Sequence, residues 1–130
     1  MSKNKSSIAI DYGTKKSWLA YSVESFAFSY KTVKTRDLIE EVTELIASKN
    51  PEILVIGMPY HIDGSLSKQA RKVESFAKIC EKHFPTLRIV LHDERLTTSE
   101  ARLGMQDVED ADIDAESARL ILEDYLVDWD

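Results

Sequence analysis

The chain has one cysteine, Cys80, among its 130 residues. A lone cysteine excludes an internal disulfide framework and any cysteine-rich zinc site. Four glycines and three prolines leave no low-complexity or linker-like segment. No apolar run approaches the roughly 20 residues that a membrane-spanning helix needs. The opening "MSKNKSS" leads into strand-like sequence rather than the apolar region of a secretion signal. Together these absences predict a cytoplasmic protein with no membrane partner. Length and a 43% hydrophobic content fit one domain over residues 1–130, large enough for its own core.

Net charge is −6, which taken whole argues against a nucleic-acid partner. The distribution argues the other way. Residues 1–95 carry 15 Lys and Arg against 12 Asp and Glu, whereas residues 96–130 carry 2 against 11. The acidic excess belongs to the C-terminal quarter, and the remaining surface is free to meet phosphates through local basic patches.

Hydrophobic periodicity predicts strands over Ile8–Tyr12 and Ser17–Ser22, joined by "GTKK". A third strand follows over Phe26–Val33, where Phe26, Phe28 and Tyr30 recur with a period of two. A helix follows in "TRDLIEEVTELIASKNP", with Thr35 as N-cap and Asn50-Pro51 as the stop. "EILVIG" has the uninterrupted apolar character of a buried parallel strand. Ser65 or Ser67 then caps a second helix. Its apolar face is Leu66, Ala70, Val73, Ala77 and Cys80, and its other face is basic. "LRIVLHDE" is a further strand, a short helix runs from about Thr97 to Met105, and "QDVEDADID" reads as an acidic connection. The final helix, from about Asp114 to Val127, buries Ala115, Ala118, Ile121, Leu122 and Tyr125. A meander followed by β-α-β units predicts an α/β fold: a mixed sheet, antiparallel then parallel, with helices on both faces.

Strand ends carry the chemistry. Sites in open α/β sheets form outside the carboxyl ends of the parallel strands, and here Asp11 ends the first strand while Asp93 and Glu94 end the last. Asp114 opens the final helix. Converging carboxylates repel unless a cation lies among them. An oxygen-only set selects a hard divalent ion such as Mg²⁺ or Mn²⁺, the setting of phosphoryl chemistry. Taken singly, each residue also has a structural use: Asp11 in a turn, Asp114 as an N-cap, Asp93 to Arg95 as a surface ion-pair cluster.

Four segments, "AIDYGTKKSWLA", "VIGMPYHIDGS", "LHDERLTTSEARL" and "IDAESARLILEDYL", resemble in order the YqgF or RuvX family of Holliday junction resolvases and pre-16S ribosomal RNA nucleases. They span about residues 8–126, and "HDERLTT" is the most specific of them. The resemblance implies a ribonuclease-H-like fold with a five-stranded sheet and a divalent-metal nuclease site. Carried over residue by residue, it makes Asp11, Glu94 and Asp114 the catalytic metal ligands, with Asp93 as a possible partner of Glu94. Neighbouring strand residues face opposite ways, so only one of that pair faces the metal, and Glu94 is preferred.

Around these, Gly13 permits a close backbone approach, and Thr14, with Lys15 or Lys16, suits contact with phosphates. Arg95 suits a bidentate phosphate clamp. Lys68, Arg71 and Lys72 form a stripe fit for a nucleic-acid backbone, or equally an ordinary solvated helix face. His61, Asp63 and Gly64 sit at another strand end beside the cleft. Trp18 and Trp129 read as packing residues. Two positions depart from the family pattern: Trp18 where a glycine is usual, and Asp112 where a lysine two residues before the last aspartate would meet phosphate.

The expected partner is pre-16S rRNA, with ribosomal precursor particles behind it, acted on by a monomer or homodimer. Two other readings compete: a resolvase acting on branched DNA, and a catalytically weakened RNA- or ribosome-binding module of the same fold, favoured by Asp112. "DYGT" also resembles the phosphate loop of actin-like ATPases, but those need two such subdomains, which 130 residues do not supply.

Overall fold

Ile8, Ala9 and Ile10 are all fully buried because β1 (Ser7–Asp11) is covered on both faces. A computed structural model describes residues 6–59, 63, 65–93 and 110–128, with side chains of the last helix described for 116–126. The sheet has five strands in the order β3-β2-β1-β4-β5. β2 (Lys16–Val23) and β3 (Phe26–Lys34) form the antiparallel meander beside β1. β4 (Ile53–Met58) and β5 (Arg88–Asp93) run parallel to β1 on its other side. Every residue of β4 is buried, as its uninterrupted apolar sequence requires.

Helices α1 (Leu38–Lys49) and α2 (Lys68–His83) cover one face, where Ile8, Ile10, Leu19, Leu54 and Ile56 meet Leu38, Val42, Leu45, Val73 and Phe76. Helix α3 (Asp110–Asp128) covers the other through Ala118, Ile121, Leu122 and Tyr125. The sheet offers α3 the small side chains Ala9 and Ala20, so the helix approaches closely. On that face the Ser7 and Ser22 hydroxyls lie 2.7 Å apart, and Ser22 Oγ also accepts the Ser7 N–H. Two buried polar groups thereby satisfy each other.

Several local expectations change. Thr35 is not the N-cap of α1. It begins a turn of 3₁₀ helix, Thr35–Asp37, and its groups bond back to the β1–β2 turn. The stop is as expected: Asn50 takes the left-handed conformation and its N–H bonds to the Ile46 carbonyl. Ser67, not Ser65, caps α2 by accepting the Ala70 N–H at 2.9 Å. The core of α2 also includes Phe76, absent from the expected apolar face. Helix α3 begins at Asp110, so part of the supposed acidic connection is helical and Asp114 lies inside the helix instead of capping it. The expected helix over 97–105 lies outside the described residues.

Candidate active site

Asp11 is the last residue of the central strand, half-buried and paired in register with Trp18. Alternation puts it on the α3 face with Ala9 and opposite to Ile8 and Ile10. The chain then turns sharply. A Cβ on Gly13 would meet the Lys16 carbonyl oxygen at 2.2 Å and the Trp18 ring at 3.3 Å. The glycine is therefore demanded by its own turn and by Trp18, not by a ligand. Trp18 itself packs against the α3-side core, as a packing residue should.

The turn is held from both sides by side chains distant in sequence. Ser17 Oγ accepts the Gly13 N–H at 3.1 Å and lies 2.8 Å from Thr35 Oγ1. Thr35 Oγ1 donates to the Gly13 carbonyl at 2.7 Å, and the Thr35 N–H donates to the Lys15 carbonyl at 2.9 Å. From α2, Gln69 Nε2 donates to the Tyr12 carbonyl at 2.8 Å while its Oε1 accepts from Thr14 Oγ1 at 3.4 Å. The Tyr12 ring packs on Phe76, centroids 5.0 Å apart. Four residues after Asp11 are thus fixed by partners from β2, the 3₁₀ turn and α2.

Thr14, Lys15 and Lys16 are exposed on this turn, and Lys68, Arg71 and Lys72 are exposed on α2. The two groups meet: Lys72 Nζ donates to Thr14 Oγ1 at 3.4 Å. Asp63 is engaged locally, accepting both the Ser65 N–H and hydroxyl. Asp93 ends β5 and is exposed, but alternation sets it with Ile89 on the α2 face, opposite to Asp11. Beside it, His92 turns to the α3 face, where Nε2 lies 2.6 Å from Asp124 Oδ2 and the ring meets Tyr125 edge-on. That contact pins β5 to α3.

Glu94 and Arg95 lie outside the described residues, as do His61, Gly64 and Trp129. Of Asp114 and Asp112 the backbone alone is described: both ride on α3, the helix covering the face on which Asp11 sits. Among the described residues no three metal-ligating side chains converge. The donor chemistry at this edge still fits a hard cation, since Asp11 is a carboxylate and Cys80 is buried in the α2 core. Burial, with a smaller contribution from Glu81, pushes the Cys80 thiol up to about 12. It stays a protonated core group.

Residues that sequence patterns do not single out for the site are Gln69 and Ser17, while Thr35 is expected only as a helix cap. Gln69 lies within the basic stripe, between Lys68 and Arg71, with nothing in the sequence to mark it.

A sheet of this order, antiparallel over β1–β3 and parallel through β4 and β5, with an acidic residue ending its central strand, defines a ribonuclease-H-like α/β domain. The fold matches the solved structure of T. thermophilus RuvC in complex with Holliday junction substrate. The TM-score is 0.59 at 16% identity, over 93% of this chain and 94% of that one. The family RuvX, described as Holliday junction resolvase, matches residues 5–128, and the chain belongs to that family. A relative from Sodalis glossinidius, named "Putative pre-16S rRNA nuclease", is 34% identical over 130 residues, 92% of each chain. One of the same name from Shewanella denitrificans is 30% identical and covers 96% of each.

Proposed function

We propose that this chain is a metal-dependent nuclease, a single catalytic domain that processes the 5′ end of pre-16S ribosomal RNA. The observation that carries the reading is the position of Asp11, at the strand end that leads into a turn clamped from three elements and bordered by the exposed cations Lys15, Lys16 and Lys72. Relatives bearing the pre-16S rRNA nuclease name over nearly their whole length support the substrate class. Asp11, Glu94 and Asp114 are the proposed holders of Mg²⁺ or Mn²⁺. When bound, such a cation supplies an activated water and neutralises charge developing on the phosphate. The chain's own part is to orient the RNA: Lys15 and Lys16 on the turn, and Lys68, Arg71 and Lys72 on α2, follow the phosphate backbone, with Arg95 as a clamp. Thr14 supports Lys72. Action on ribosomal precursor particles in the cytoplasm follows from that substrate.

The second reading is cleavage of branched DNA. The family description and the fold match to RuvC favour it. One experiment separates the two. Purified protein is incubated with a pre-16S precursor and with a four-way DNA junction, each with Mg²⁺, Mn²⁺ or EDTA. Metal-dependent cleavage of the precursor alone is expected. Cleavage of the junction alone establishes the second reading, and cleavage that persists in EDTA overturns the metal site.

A further inference from the structure

Six large hydrophobic residues are exposed among the described residues, and four of them, Val23, Phe26, Phe28 and Tyr30, lie together on the β2–β3 hairpin. They share a face. Tyr21 pairs in register with Phe28 and Val23 with Phe26. The Tyr21 ring stacks on Phe28 at 5.6 Å and meets Tyr30 edge-on at 6.0 Å. Helix α1 lies on this side of the sheet, where the hairpin's Leu19 and Val33 join the buried core while Val23, Phe26, Phe28 and Tyr30 stay exposed. From α1, Lys49 Nζ lies 4.3 Å above the Tyr21 ring and Glu41 pairs with Lys31 at 2.8 Å.

β3 is also an outer strand of the sheet. Natural edge strands are blunted by charge, proline or bulges. β3 has these protections at one end only. Lys31 and Lys34 stand there, and the register shifts so that Tyr30 is an extra residue between the pairs Ala20–Ser29 and Leu19–Lys31. Phe26 to Ser29 has no charge, no proline and no bulge.

We propose that β3 is a self-association edge, pairing antiparallel with β3 of a second copy of this chain to form one continuous sheet. The pattern is self-complementary about a two-fold axis at Phe28. Phe28 then opposes its own counterpart and Phe26 opposes the second copy's Tyr30, an aromatic ladder of the kind that stabilises cross-strand pairs. Lys31 and Lys34 of each copy run past Glu24 at the other copy's hairpin tip. Registers centred nearer Lys31 bring the lysines of both copies together. A nucleic-acid platform fits less well: Lys31 is already held by Glu41, Lys49 sits on Tyr21, and Glu24 and Glu116 border the strand.

The test is the mass of the protein in solution across a concentration series, for the wild type and for Phe28→Lys. Wild-type mass should double as concentration rises, while the variant stays monomeric with an unchanged melting temperature. Phe26→Lys, at the more exposed position, must behave the same, which guards against a folding defect at Phe28. Register is read from Phe28→Cys, which adds an exposed thiol to a chain whose Cys80 is buried. Mild oxidation should link two copies, and Ser25→Cys should not. A wild type that remains monomeric, or a dimer that survives both lysine variants, overturns the proposal. So does a monomer whose Phe28→Lys variant loses affinity for single-stranded RNA, since the row is then a base-stacking surface. None of these readouts depends on cleavage.

Discussion

The side-chain amide of Gln69 donates to the main-chain carbonyl of Tyr12 at 2.8 Å, tying the first turn of α2 to the residue that follows Asp11. Gln69→Leu keeps the bulk and removes the bond. A single hydrogen bond of this kind is worth about 1 kcal/mol, so the melting temperature should barely move. If the bond positions Asp11, kcat falls far more than KM rises, by tenfold or more, because small displacements at a reacting centre are expensive. Equal and small effects on both constants would leave Gln69 as packing only.

Asp11→Asn separates a ligand from a turn residue. A turn or cap tolerates Asn nearly as well as Asp, so a structural role predicts near-normal cleavage. The metal role predicts loss of cleavage. It also predicts that Mn²⁺ stabilises the wild type alone, by about 2.7 kcal/mol at a hundredfold excess over Kd. Melting curves of both proteins, with and without Mn²⁺, decide this independently of activity.

Replacing Lys68, Arg71 and Lys72 with Gln should weaken RNA binding regardless of sequence. The slope of log affinity against log salt should flatten by about 0.7 for each single-strand phosphate that is no longer neutralised. An unchanged slope would make the stripe an ordinary solvated face.

Cys80 provides a pH test. Folding raises its thiol from the usual 9.0 to about 12. Below pH 9 the thiol is protonated in both states and contributes no pH dependence. Between about 9 and 12 the unfolded chain loses this proton while the folded chain keeps it, so stability declines as pH rises, by at most about 1.4 kcal/mol per pH unit. Denaturant titrations of Cys80→Ala over that range should lack this component of the decline.

The sequence made the sheet legible wherever one rule was unopposed. β4 is apolar at every position and is buried at every position. Asn50 with Pro51 ends α1 because few residues other than glycine accept the left-handed cap. Local patterns mislead where tertiary partners compete with local preference. Thr35 has the chemistry of an N-cap, but its hydroxyl is drawn to the Gly13 carbonyl, 22 residues earlier, a bond with no local signal. The run from Asp110 to Asp114 resembles a connection because repeated acids mask helical periodicity. At the site, motif order points to the family, and the strand end of Asp11 is readable from its neighbours. Gln69 is not, since a glutamine in a first turn is usually solvated and only the fold brings it to Tyr12.

Helix α3, the last of the described elements, covers Ala9 and Ala20 on the first two strands. A ribosome making this protein therefore releases β1 and β2 long before their cover exists. Until residues near Leu122 emerge, Ala9 and Ala20 lack the helix that covers them. The α1 and α2 side has no such delay, because those helices are made next to the strands they cover. The two faces thus mature at different times, and the side bearing Asp11 closes last.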